Sequence, residues 1–74
     1  MNPGGLKPGT WIFLRSAGRT WAAIGYPATG AAASNLRTEI TVARSEGSTW
    51  QEIADAALLA VETVKQLAKK EVAA

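Results

Sequence analysis

The sequence predicts an all-α fold of about five short helices, arranged as two fused units that share the central helix. Three observations carry that prediction. The first is an internal repeat. Arg15-Ser16-Ala17-Gly18-Arg19-Thr20-Trp21-Ala22-Ala23-Ile24-Gly25 is echoed by Arg44-Ser45-Glu46-Gly47-Ser48-Thr49-Trp50-Gln51-Glu52-Ile53-Ala54. Arg, Ser, Gly, Thr, Trp and Ile recur at fixed spacing, and a small residue follows each Ile. A phrase repeated at this interval marks one supersecondary unit used twice. The second observation is the run Gln51-Glu52-Ile53-Ala54-Asp55-Ala56-Ala57, which is rich in helix formers. The third is the stripe Leu36, Ile40 and Ala43, spaced as one face of a helix.

Along the chain, residues 1–9 are rich in Pro and Gly and predict a flexible N-terminal arm. Residues 10–74 then form a single compact domain, with units at about 10–45 and 36–74. Trp11-Ile12-Phe13-Leu14 reads as a first short helix, stopped at Ala17-Gly18 because glycine accepts a left-handed backbone at no steric cost. Thr20 then caps a second helix through Trp21-Ala22-Ala23-Ile24, which Pro27 ends. A β-hairpin competes for residues 10–25, since Trp, Ile, Phe and Thr favour strands. The helical second copy of the repeat favours helix for the first.

Thr29-Gly30 turns the chain into a longer helix, Ala31 to Ser45, with Arg37, Thr41 and Arg44 opposite the apolar stripe. Gly47 stops it. Thr49, with Glu52 three residues on, forms a capping box that opens the next helix. That helix runs to about Ala57. Leu58-Leu59 spans a tight turn or a helix junction, and a last helix begins near Ala60 with Val61, Val64, Leu67 and Ala68 on one face. The three Trp residues read as core, Trp21 and Trp50 each sealing the packing of its own unit.

Composition narrows the function. The chain has 74 residues, no Cys and no His. Disulfides, thiolate metal sites, imidazole bases and the commonest zinc ligand are therefore all excluded. No catalytic constellation is present, so no enzyme activity, metal or cofactor is expected. No run approaches the length of a membrane span, and the N-terminus lacks the apolar core of a signal peptide. A cytoplasmic, nucleoid-associated protein is expected. Charge is uneven. Residues 1–44 carry Lys7, Arg15, Arg19, Arg37 and Arg44 against one acid, Glu39. Residues 45–74 carry Lys65, Lys69 and Lys70 against Glu46, Glu52, Asp55, Glu62 and Glu71. A basic front half points to a polyanionic partner.

The second unit, Thr49-Trp-x-x-Ile53-Ala54-x-x-Ala57-x-Leu59-x-x-x-x-Val64-x-x-Leu67, resembles the bacterial helix-turn-helix family. In that pattern Ile53 and Ala57 face the core, and Ala54 is small where the next helix crosses. Leu59 plugs the bend, and Val64 and Leu67 fasten the second helix to the first. It departs at the turn, where Leu58 stands in place of the usual glycine. The first unit resembles the same family differently. Ile24-Gly25 supplies the apolar and small pair, Gly30 the turn glycine, and Leu36 the place of Val64, with one extra residue near Pro27.

The resemblance implies double-stranded DNA as the partner, read by the helix near 31–45. Asn35 would pair with adenine and Arg37 with guanine, and Ser34 and Thr38 would add polar reach. Arg15, Arg19 and Arg44 are candidate phosphate contacts; Lys65, Gln66 and Lys69 form a candidate second surface. The function so implied is a small transcriptional regulator or a phage or plasmid DNA-recognition factor. A homo-oligomer, or a partner protein held by the acidic second unit, is also expected. The alternative is a helix-turn-helix-shaped interaction or oligomerisation module without DNA affinity.

Overall fold

The computed structural model describes residues 7–72, with side chains through Lys69. The fold is all-α, with four helices among the described residues: α1 (Pro8–Ala23), α2 (Ala31–Ser45), α3 (Trp50–Ala57) and α4 (Val61–Val72). Most of the expected N-terminal arm, residues 1–6, lies outside the described residues; Pro8 and Gly9 already belong to α1. Helix α1 packs on α2 and α3, and α4 packs on α2 and α3. The central helix α2 is thus shared between the two ends of the molecule.

Residues 10–25 form neither a hairpin nor two short helices. They belong almost entirely to one helix of 16 residues. Pro8 opens it, its fixed φ suited to a first turn. Thr10, Leu14, Gly18 and Trp21 are its buried residues, spaced for one helical face. Two members of that stripe are a hydroxyl and a glycine, which hides it from a count of apolar residues. A glycine inside a helix costs about 1 kcal/mol relative to alanine. Burying Leu14 and Trp21 contributes roughly 1.5–3 kcal/mol each, so the continuous helix wins.

Gly18 therefore does not stop α1 but lets it approach α3. A Cβ at Gly18 would stand 2.5 Å from the Ala57 carbonyl oxygen and 3.2 Å from the Ala57 Cβ. One turn earlier, Arg15 Nε donates to the Ala56 carbonyl at 2.6 Å. Helix α1 thus lies across the C-terminus of α3 and satisfies one of its free carbonyls. At the start of α1, Thr10 Oγ1 donates to Glu46 at 2.8 Å, and Lys7 pairs with the same carboxylate at 3.8 Å.

Three helices stop in the same way. In each, a left-handed residue follows the last turn, and two backbone amides fold back onto the final carbonyls in the Schellman pattern. For α1 the left-handed residue is Gly25, with Tyr26 N donating to Trp21 O and Gly25 N to Ala22 O. For α2 it is Gly47, with Ser48 N donating to Ala43 O and Gly47 N to Arg44 O. For α3 it is Leu58 (φ 60°, ψ 44°), with Leu59 N donating to Ala54 O and a longer bond from Leu58 N to Asp55 O. The structural counterpart of Gly47 is thus Gly25, although its repeat partner is Gly18. Ile24, the apolar member of the first unit's pair, lies in the turn and is exposed.

The second copy of the repeat folds as its pattern predicts. Thr49 Oγ1 accepts from Glu52 N at 3.1 Å, and Thr49 N donates to Glu52 Oε1 at 2.8 Å, which completes the capping box. Ile53, Ala54, Ala57, Val64 and Leu67 are buried together with Leu36, Ile40 and Ala43 in one core. Leu59 packs against that core from the bend. Trp21 is buried in it, whereas Trp50 and Trp11 cover its edge.

Two stability outcomes follow. Gly18→Ala should destabilise the protein by about 1–3 kcal/mol despite its better helix propensity, because the neighbour is backbone and cannot turn aside. A urea midpoint equal to or above that of the parent would contradict this packing. Leu58→Gly should stabilise by about 1 kcal/mol, since it relieves a bulky left-handed residue whose side chain is largely exposed. A lower midpoint for that variant would show that Leu58 is held by packing rather than strained.

Candidate nucleic-acid interface

The candidate residues divide into those tied into the fold and those left on the surface. Arg37 is tied in. Its Nε donates to Leu67 O in α4 at 3.2 Å, and its Nη2 donates to Ala28 O at 2.6 Å. One guanidinium thereby links α2 to α4 and to the loop of residues 24–30. The planar fork of arginine suits such a double bond, which a lysine ammonium would not reproduce. The side of α2 that the sequence assigns to solvent is, at Arg37, half-buried against α4.

Arg15 and Arg44 are committed in parallel ways. Arg15 stacks over the Trp11 ring with its guanidinium carbon 4.8 Å from the centroid, and donates to Ala56 O. Arg44 stacks over Trp50 at 4.4 Å and donates to Ser48 O at 2.8 Å from the last turn of α2. Each arginine thus covers a tryptophan at the rim of the core and satisfies a carbonyl near a helix boundary. Arg19 is different: it is exposed on α1, along a groove with Trp11, Arg15 and Thr20.

Ser34, Asn35 and Thr38 are exposed on α2. Thr38 Oγ1 donates back to Ser34 O at 3.0 Å, which holds it against its own helix. Asn35 and Thr38 line the cleft between α1 and α2 together with Phe13, Ala32 and Glu39. They face the flank of a neighbouring helix. The exposed strip of α2 is therefore bounded on one side by α1 and on the other by α4.

Helix α4 is free on its outer side. Val64 and Leu67 are buried, Val61 and Ala68 partly so, and Glu62, Lys65, Gln66 and Lys69 are exposed. At about 100° per residue, those four fall on one continuous face. Helices α3 and α4 are joined by only Leu58, Leu59 and Ala60. The turn between them has left-handed backbone at Leu58. The sequence pattern located the turn, but it did not reveal that the loop of residues 24–30 lies against α4. Tyr26 and Ala28 share a recess with Thr63 and Gln66. Nothing in the local sequence ties that loop to a helix more than 30 residues later.

No family model, no curated protein and no solved structure matches this chain. No helix among the described residues is long and apolar enough to cross a membrane.

Arg37→Ala should lower stability by about 0.5–1.5 kcal/mol, because it removes the two hydrogen bonds that tie α2 to α4 and to the loop. Arg37→Lys should recover only part of that loss. Thermal melts followed by circular dichroism check both; an Arg37→Ala protein as stable as the parent would show that the guanidinium is dispensable to the fold.

Proposed function

We propose that the chain binds double-stranded DNA and that α4, rather than α2, is the helix that enters the major groove. The observation that carries this reading is the outer face of α4, with Glu62, Lys65, Gln66 and Lys69 exposed beyond a tight left-handed turn. An α-helix fits the major groove when one side is free over its length and its partner helices sit behind it. Helix α4 meets that condition, since α2 and α3 cover only its inner side. Gln66 has the amide geometry to pair with adenine, and Glu62 can accept from the cytosine amino group. Lys65 and Lys69 supply the attraction to phosphate. In this reading α2 is the supporting helix, and Arg37 braces it against α4.

A chain with this composition suits a small regulator or a phage or plasmid DNA-recognition factor. Two lysines on the reading face make few phosphate contacts, so useful affinity requires two copies on one site. A second reading, an interaction module without DNA affinity, is favoured by Ile12 and Phe13, which are more than half exposed on α1.

Retention on a mixed-sequence duplex at low salt tests the two readings. The protein should bind, and binding should weaken as salt rises. Lys65→Ala with Lys69→Ala should reduce affinity and flatten the log–log salt slope by about one per lysine. Absence of retention at low salt, with a stable oligomer in sedimentation, would favour the interaction module.

A further inference from the structure

Tyr26 and Leu58 are the two non-glycine residues with left-handed backbone among the described residues, at φ 57° and 60°. That conformation costs a bulky residue about 1–2 kcal/mol. Burial of the side chain would offset the cost, yet these two are 60% and 63% exposed. They stand together, lining one notch of about 400 Å³ with Trp21, Leu59, Ala60 and Thr63. Left-handed backbone at two largely exposed side chains that share one notch points to a use outside the protomer.

The loop that carries Tyr26 is held firmly. Trp21 Nε1 donates to Pro27 O at 2.7 Å, and Arg37 Nη2 donates to Ala28 O at 2.6 Å. Consecutive carbonyls are thus pinned from α1 and from α2. The Tyr26 ring stands edge-on to Trp21, 5.1 Å between centroids and 83° between planes. Its position is set before any partner arrives. Its hydroxyl makes no hydrogen bond among the described residues. The shared recess puts Tyr26 beside Thr63 and Gln66, on one flank of the outer face of α4, and helical periodicity puts Lys65 on the other.

We propose that the loop of residues 24–30 is a second edge of the DNA surface, with the Tyr26 hydroxyl donating to a phosphate oxygen. The proposal rests on α4 being the groove-facing helix. A helix with its side chains is about 10–12 Å across and fills a major groove about 12 Å wide. A group beside such a helix therefore meets the sugar-phosphate strand and not the base edges. The loop, Ile24 to Gly30, contains no charged residue, so no carboxylate of its own repels a phosphate. A neutral hydroxyl on a fixed ring is a common positioning contact to phosphate.

Tyr26→Phe tests this in the full chain, because it keeps the ring, its contact with Trp21 and the backbone, and removes only the hydroxyl. Affinity for a mixed-sequence duplex at low salt, read by fluorescence anisotropy, should fall about two- to tenfold. The melting temperature and the salt slope should not move, since neither packing nor charge changes. The variant with both Lys65 and Lys69 replaced by alanine is measured alongside. If the parent chain does not bind the duplex, both the DNA reading and this proposal fall. If the parent binds and the lysine variant is weakened while Tyr26→Phe matches the parent, α4 keeps its role and the Tyr26 contact is overturned. A Tyr26→Ala variant with parental DNA affinity and a changed sedimenting mass would also overturn it, assigning the notch to a protein.

Discussion

The approach of α1 to the end of α3, at Gly18 and Ala57, is the contact on which the rest of the structure depends. It requires a residue with no side chain in the interior of a helix. It also brings Arg15 within bonding distance of the Ala56 carbonyl, so the crossing is polar as well as close-packed. With α1 fixed there, Leu14 and Trp21 reach the core that α2, α3 and α4 build from their own apolar faces. A chain this short has little apolar area to bury, and a close crossing uses it fully.

The second recurring device is the helix stop. Gly25, Gly47 and Leu58 end α1, α2 and α3 with the same pair of backbone bonds, which satisfy carbonyls that a helix end would otherwise leave open. Glycine takes the left-handed position freely; leucine does so at a cost. The chain bears that cost at the turn before α4, and again at Tyr26 just after Gly25. Both residues border α4, and Leu58 directly follows Ala57 at the α1–α3 crossing. Strain is concentrated at the edge of the surface we assign to DNA.

Arginine chemistry explains why the basic front half of the chain is not a simple polyanion patch. Arg15 and Arg44 lie over tryptophans and hold carbonyls, and Arg37 joins two helices and a loop. A guanidinium used in this way contributes to the electrostatic field but is not free to reach a ligand. Arg44 is exposed but stacked on Trp50, and Lys7 is exposed but paired with Glu46. Among the described residues, the remaining exposed positive charge lies at Arg19 on α1 and at Lys65 and Lys69 on α4. In the DNA reading, the arginines set the position of α4 and the lysines meet the phosphate.

The all-helical class, the capping box at Thr49 and Glu52, the stripe of Leu36, Ile40 and Ala43, and the α3–turn–α4 pattern were legible in the sequence. Each rests on interactions among residues a few positions apart, and local spacing encodes those. The repeat was legible as well, but its two copies fold differently. Gly47 has no neighbour close to it and takes the left-handed stop, whereas Gly18 meets Ala57 and stays helical. The shared phrase left that choice open; a helix 39 residues away along the chain made it. The same limit applies to Arg37. Its sequence position marks an outward face of α2, but α4 packs there and turns it into a brace. Sequence alone determined the all-helical class, the segments of α2, α3 and α4, and where the last turn falls. Tertiary contact decided where α1 ends, which arginines are free and which helix face is open, because each depends on what packs against a residue from far along the chain.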